Sequence, residues 1–446
     1  MSAFLRVLAV VALVAQIACL PRAPSGAPRP QSGPVRTSLS SEDDALLEDL
    51  SRRSFLFFWE QADPNTGIVR DRSRTDGTPV DTSARDVGSI AAVGFGLSGM
   101  CVAAERGWVE RAAALERTRV TLRFFAQRMP HERGWFFHFV NIRTGAREWG
   151  SELSSIDTAL LLAGVLTVRQ CFSADGDIPQ LADASYRRVD FQWMLAGDPQ
   201  LLSHGWKPES GFLTSRWDHY CELMILYLLA IGSPTHPIGA ESWTAWRRPI
   251  VRFQSYTYVG GPPPLFVHQY AHAWVDFRGR REREAPHTDW FTNSIDATRA
   301  HKAFVLSLAN EFPGYTDRIW GITASDSRKG YVAWGGPPRD AAIDGTVVPC
   351  AAAGSLMFAP DITLPAVREM RQRFGDRIYG RYGFADAFHP TSGWVNPDVI
   401  GIDLGITVLS AENLRSGKVW QWFMRNQEIV TAMDRVGLSR APVAVH

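Results

Sequence analysis

The sequence predicts an all-α protein: an (α/α)6 barrel of inner and outer helices with long aromatic loops. Three observations predict it. About a dozen helical stretches follow one another from Ser41 onward, with no second linker between them. They come in two textures, some apolar nearly all round (158–166, 223–231 and 405–409) and others amphipathic and charged (112–129 and 182–195). A helix that is hydrophobic on every side must be enclosed by protein, so alternation of the two textures implies an inner ring inside an outer one. Finally, no fixed sequence period supports a long helical solenoid, the competing arrangement. A length of 446 residues, enough for two or three average domains, is then taken up by one large toroid.

In chain order, residues 1–19 read as a secretory signal, with Arg6 ahead of an apolar run interrupted only by Gln16. That run is too short to span a bilayer, which takes about 20 apolar residues. The segment Gln16-Ile17-Ala18-Cys19 resembles a bacterial lipobox with Gln in place of the usual Leu. Cys19 is therefore a candidate for lipidation, and ordinary cleavage near Ala18 and Cys19 is the alternative. Residues 20–40 form a Pro/Ala/Ser-rich linker, and 41–446 the (α/α)6 domain. These features predict a periplasmic or secreted protein, anchored to a membrane if Cys19 is acylated.

The first helix of the domain starts at Ser41 with Asp44, and Leu46, Leu47, Leu50, Phe55 and Phe58 give it an apolar stripe. Further helices are predicted near 87–106, 112–129, 154–171, 182–195, 217–232, 240–253, 293–311, 363–374, 402–413 and 416–434, with a weaker segment near 348–357. Loops rich in Gly, Pro and aromatics separate them, including Gly260-Gly261-Pro262-Pro263 and Gly335-Gly336-Pro337-Pro338.

Composition narrows the function classes. With 45% hydrophobic and 21% charged residues the chain is ordinary globular protein, which excludes disorder and a coiled coil. The formal net charge is +1, and the four arginines of residues 1–36 face no acid. The remainder thus holds 43 basic residues against 46 acidic ones. A nucleic-acid partner has no electrostatic support. Cys101, Cys171, Cys221 and Cys350 are far apart and form no CxxC pair, so zinc ribbons and thioredoxin-like chemistry are unsupported. The first three read as small core residues in apolar helices.

The chemistry is predicted at the starts of the apolar helices. Glu152 and Asp157 precede or open the first, Asp218 and Glu222 the second, and Asp403 the third. In a double ring of helices these N-termini meet at one mouth, which brings acids from three segments to one cavity. Asp157 three residues after Ser154, and Asp218 three after Ser215, also fit helix caps, and Asp403 shares that reading. Glu222 lies four residues past Asp218, beyond the capping positions and at the edge of an apolar helix. Its carboxyl would be desolvated and its pKa raised. Paired carboxylates beside aromatics are what glycoside hydrolysis needs, one protonated for the leaving oxygen and one acting as base or nucleophile. Among the 16 Trp, Trp217 beside Asp218 and Trp334 in a loop are candidate sugar platforms.

Other motifs lack their context. Gly94-Phe95-Gly96-Leu97-Ser98-Gly99 matches GxGxxG but sits inside a helical pattern, where close helix packing explains it. His268 and His272 have i,i+4 spacing, but Gln269 stands where a zincin has Glu, so no metal is assigned.

The segments that carry these acids resemble the bacterial glucoamylase-like domain that includes glycoside hydrolase family 144, endo-β-1,2-glucanases with an (α/α)6 barrel. The similarity rests on Phe57-Phe58-Trp59-Glu60, Asp71-Arg72, Glu152 through Gly164, Trp217-Asp218-His219-Tyr220-Cys221-Glu222, and Phe266-Val267-His268-Gln269-Tyr270. It continues in Ser325-Asp326, Asp344-Gly345-Thr346, Asp386-Ala387-Phe388 and Glu412-Asn413. It implies hydrolysis of a β-glucan, most naturally β-1,2-linked, with inversion and without metal or organic cofactor. Leu404 departs from the pattern, where Gln is expected after Asp403, and so does Asp361, where Glu is expected.

The sequence thus predicts a glycoside hydrolase. Glu222 or Glu152 would be its acid and Asp403 or Asp157 its base, with Trp217, Asp218, His219, Tyr220, His268 and Trp334 binding sugar. Two rivals remain: a non-catalytic glycan-binding envelope protein on the same barrel, and a polysaccharide lyase, which would need a Tyr or His base and an Arg cluster.

Overall fold

The computed structural model describes residues 39–80, 84–261 and 264–440 of the chain. The predicted signal segment, Cys19 and nearly all of the linker lie outside them. Six helical segments are buried over almost their whole length: Ile90–Arg106, Ser155–Cys171, Met224–Gly232, Tyr270–Trp274, Pro349–Ala353 and Gly401–Arg415. Between them in sequence come helices with one buried stripe, among them Ser41–Glu60, Arg111–Gln127, Ile178–Arg187, Trp290–Ser307, Pro360–Phe374 and Gln427–Arg435. This is the (α/α)6 barrel, an inner ring of apolar helices sheathed by amphipathic ones.

Local chemistry sets the boundaries. Ser40 caps the 41–60 helix by accepting from the Asp43 N–H, and Glu42, Asp43 and Asp44 fill a first turn that favours negative charge. Ser89 and Ser154 cap two inner helices in the same way. Inner helices 90–106 and 155–171 then touch backbone to backbone. A Cβ at Gly94 would lie 2.1 Å from the Leu160 carbonyl oxygen, and one at Gly164 would lie 2.1 Å from that of Gly94. Close packing, not nucleotide binding, accounts for the first glycine of the GxGxxG match.

Short strand pairs tie the N-termini of inner helices into a rim. Arg72–Arg74 pairs with Asp398–Ile400 before the 401–415 helix. Val87–Ser89 pairs with Phe139–Asn141 before the 90–106 helix, and Leu153–Ser154 pairs with Gly205–Lys207 before the 155–171 helix. Single bridges between Arg70 and Gly88, and between Phe137 and Leu153, link these pairs to one another. The convergence predicted from the sequence therefore has a concrete scaffold.

Several predicted helices are shorter than their apolar patterns. The 217–232 stretch is helical only from Met224, because Tyr220 N–H bonds to the Arg247 carbonyl and Arg247 N–H to that of Asp218. The 240–253 stretch gives way after Pro249 to an Ile250–Phe253 strand paired with Tyr256–Val259. The 182–195 and 416–434 stretches are each split in two. The second breaks at Asn426, whose side chain receives Arg169 and Gln170 and donates to the Leu166 and Phe423 carbonyls. Cys101 and Cys171, read from the sequence as small core residues, are disulfide-bonded at a Cα–Cα distance of 6.1 Å. Cys221 and Cys350 are free thiols.

Candidate active site

The rim presents a cluster of acids around one histidine. The His138 strand segment pairs with the chain entering the 155–171 helix: His138 N–H donates to the Glu152 carbonyl at 2.9 Å. The side chains follow, with His138 Nδ1 3.2 Å from Glu152 Oε1 and His138 Nε2 3.5 Å from Asp157 Oδ1. Burial works against the imidazolium, but Asp157 and Glu152 together lift its pKa to about 9. Burial also opposes ionisation of Glu152, yet the bond to His138 brings this carboxyl down to about 2. Asp157 does serve as a cap partner, since Ser154 Oγ both accepts its N–H and donates to Oδ2. Its pKa is nevertheless raised, because burial outweighs the pull of His138.

Glu222 sits in the irregular segment just before the 224–232 helix, not within it. Burial pushes it up to about 7, and the charge of nearby Asp157 adds to the shift. The route to the raised pKa differs from the sequence argument. Backbone bonds between residues 218–220 and Arg247 replace helical ones, and Glu222 is left in the turn ahead of Met224.

Asp403 lies in the first turn of the 401–415 helix, where no side-chain cap is formed. Burial raises it to about 6, against hydrogen bonds from Asp386 and the Cys350 thiol. The charge of Asp71 acts on both His138 and Asp403, which joins the two halves of the cluster. The charges of Asp403 and Glu222 in turn both act on the buried Tyr270 hydroxyl. These charge interactions link Glu152, Asp157, Glu222 and Asp403, four of the five acids noted in the sequence, while Asp218 pairs with His219 and Arg247.

The predicted sugar-binding residues divide. Asp218 and His219 keep polar atoms at the surface, joined at 2.7 Å, and Asp218 also pairs with Arg247 at 2.7 Å. Trp217 is buried, donating from Nε1 to Ser155 Oγ and stacking on His204. Tyr220 is wholly buried, its hydroxyl 3.0 Å from His268 Nδ1 and its ring stacked on Trp290. His268 is 5% exposed, and burial drives its pKa to about 3. Trp334 is 1% exposed and donates to Ser325. Tyr220, His268, Trp217 and Trp334 are therefore buried side chains and do not present open stacking faces. Aromatics beside acids look alike in sequence whichever way their rings turn.

The open aromatic faces are elsewhere. Trp149 and Tyr331 are 48% and 52% exposed, while most other large rings are buried. Trp149 packs on Phe139, which stacks on His138 at 3.8 Å, so it stands at the Glu152 side of the cluster. Tyr331, on the Gly330–Val332 strand, has its hydroxyl pushed upward by burial and by the charges of Asp403, Asp386 and Asp71. A Trp three residues ahead of Glu152 in a Gly-rich loop was the available signal for the first. Nothing in the sequence marked the second.

Two further observations bear on the chemistry. His272, paired with Ser294, is buried and driven to about 3, and among the described residues no group of three or more His, Cys, Asp and Glu is arranged to hold a metal. Of the two departures from the family pattern, Leu404 lines a small cavity with Asp403, Asp386 and Ser54. Asp361 makes only a surface ion pair with Arg299.

Residues 214–427 match the glycoamylase family model. An exo β-1,2-glucooligosaccharide sophorohydrolase (non-reducing end) of Parabacteroides distasonis is 26% identical over 445 residues, covering 90% of this chain and 59% of that protein. The chain therefore spans 59% of that relative's length. Among solved structures, an endo-β-1,2-glucanase from Chitinophaga pinensis, in complex with sophorotriose and glucose, is similar with a TM-score of 0.82 at 27% identity. That match covers 90% of this chain and 99% of the other. A β-1,2-glucanase from Parabacteroides distasonis gives 0.80 at 25% identity, over 89% of this chain and 60% of its own.

Proposed function

We propose that this glucoamylase-like chain is a glycoside hydrolase that cleaves β-1,2-linked glucan by carboxylate acid/base catalysis. The observation that carries the reading is Glu222, whose carboxyl is held near pKa 7 by burial within a cluster of other acids. A proton donor of that strength stays protonated until about neutral pH and gives up its proton readily there. Glu152, pulled down to about 2 by His138, is already ionised, so the acid role falls to Glu222.

We assign the base role to Asp403, at the start of the 401–415 helix and within the field of Asp71. Glu222 protonates the glycosidic oxygen as the bond to the anomeric carbon breaks. Asp403 takes a proton from the water that attacks that carbon. Glu222 is left as a carboxylate and Asp403 as an acid, and exchange with solvent resets both. Glu152, Asp157 and His138 hold a fixed charge pattern along one side. Asp218, His219 and the exposed rings of Trp149 and Tyr331 supply polar and stacking contacts to sugar. Similarity to sophorohydrolase and endo-β-1,2-glucanase proteins supports the linkage.

Reducing-sugar release from linear β-1,2-, β-1,3- and β-1,4-glucans tests this reading, and only the β-1,2-glucan is expected to be degraded. Degradation of another glucan alone would replace the linkage, and a folded protein inactive on all three would favour the non-catalytic binding protein. We further propose export to the periplasm or beyond. The Cys101–Cys171 disulfide, which suits an oxidising compartment, supports this. Acylation of Cys19 is read by the mass of the mature N-terminus: a lipid-modified cysteine supports it, and an unmodified one removes it.

A further inference from the structure

Asp386 and Asp403 meet in the interior behind the mouth. Asp386 is 4% exposed and Asp403 7%, and both line one small cavity. Asp386 Oδ2 is fully engaged, accepting the Asp326 N–H at 2.8 Å and the Asn396 amide at 2.9 Å. Asp386 Oδ1 is buried and receives no N–H or O–H from another described group. The carboxyl of Asp403 lines the same cavity and interacts with that of Asp386. Two acceptor oxygens in contact away from water repel unless a proton lies between them.

The surroundings decide which partner carries that proton. Asp71 and Asp326 add negative charge, and Arg72 is already paired with both, at 3.0 and 2.7 Å. The remaining groups that face the pair are the Cys350 thiol and the hydroxyls of Tyr331 and Tyr270, neutral donors at ordinary pH. Asp386 is the more deeply enclosed, and Asp326 and Asp403 both discourage its ionisation. Asp403 is helped toward the ionised form by bonds from Cys350 and Asp386.

We propose that Asp386 is a positioning residue that remains protonated at neutral pH and donates a hydrogen bond to Asp403, fixing that carboxylate's orientation and keeping it ionised. The proton stays on Asp386 throughout and no bond to substrate involves it. The inference rests on the reading of Asp403 as the base, but the state of Asp386 can be measured without turnover.

Two variants and one spectrum test it. Asp386→Ala removes the donor, so kcat should fall about 10- to 100-fold and the acid limb of the pH–rate profile should move up. Asp386→Asn keeps a donor of the same shape and should restore kcat to within about threefold of wild type, with the acid limb near its original place. Infrared difference spectra at pH 8, above the range of Glu222, should show a protonated carboxyl in wild type that Asp386→Asn lacks. An Asn variant as impaired as the Ala variant, an Ala variant with an unmoved acid limb, or no carboxyl signal lost in Asp386→Asn would each overturn the proposal. If the Ala variant does not fold, the Asn kinetics and the infrared band decide alone. A wild type inactive on β-1,2-glucan that still shows the Asp386 band would reject the enzymatic reading and leave the carboxyl pair standing.

Discussion

Replacing Glu222 by Gln separates a catalytic group from a structural one, because the two predict opposite changes in stability. Burial raises this carboxyl from its ordinary 4.5 to about 7. The folded protein therefore binds a proton more tightly than the unfolded chain between those values. Stability falls as pH rises through that window, and the full penalty of up to about 3 kcal/mol is present above pH 7. Gln has the same shape and no charge, so Glu222→Gln should stabilise the fold at pH 8 by about 1–3 kcal/mol and change little at pH 5. Activity should move the other way, since loss of a positioned general acid costs about 10²- to 10⁴-fold. Denaturant unfolding at pH 5 and 8, alongside reducing-sugar release from β-1,2-glucan, reads both. A variant destabilised at pH 8, or one that releases sugar as fast as wild type, would refute the reasoning.

Three other outcomes are expected. His138→Gln should destabilise the protein by about 1–3 kcal/mol at pH 6, because Asp157 and Glu152 raise the imidazole from 6.5 to about 9. That loss should fade as pH rises from about 6.5 to 9 and be absent above it, and thermal melts showing a pH-independent loss would contradict it. Gly94→Ala or Gly164→Ala would force apart two inner helices whose backbones touch. Each should cost about 1–3 kcal/mol or more in denaturant unfolding, and a neutral result at either would dispute the packing. The Cys101–Cys171 bond closes a sequence separation of 70 residues, so its reduction should lower stability by up to about 4 kcal/mol. In denatured, unreduced protein, thiol titration should find Cys221 and Cys350 reactive, and reactivity at Cys101 or Cys171 would exclude the bond.

The apolar helices were legible because their enclosure is written in composition: residues 158–166 and 405–409 admit little besides burial on all sides. Even the short inner segment Pro349–Ala353 had a trace in the weak pattern near 348–357. Glu222 was legible for a partly different reason from the one that holds. Its apolar neighbours signalled desolvation, while the backbone bonds between residues 218–220 and Arg247 that end the helix early are tertiary and leave no local mark. The same limit explains the aromatics. Whether Trp217 faces sugar or Ser155, and whether Tyr331 overhangs Asp403, depends on partners far away in the chain. Asp386 lay inside a sequence segment already noted and His138 did not, but the roles of both come from contacts with Asp403 and Asp157, which only the folded rim creates.

The most direct test of the account is the digestion of end-labelled linear β-1,2-glucan by wild type and by Glu222→Gln, with the products resolved by size. Wild type should yield shorter β-1,2-linked oligosaccharides, and Glu222→Gln should leave the polymer essentially intact at equal concentration and time. Intact polymer with a folded wild type, or the same products at the same rate from both proteins, would contradict it.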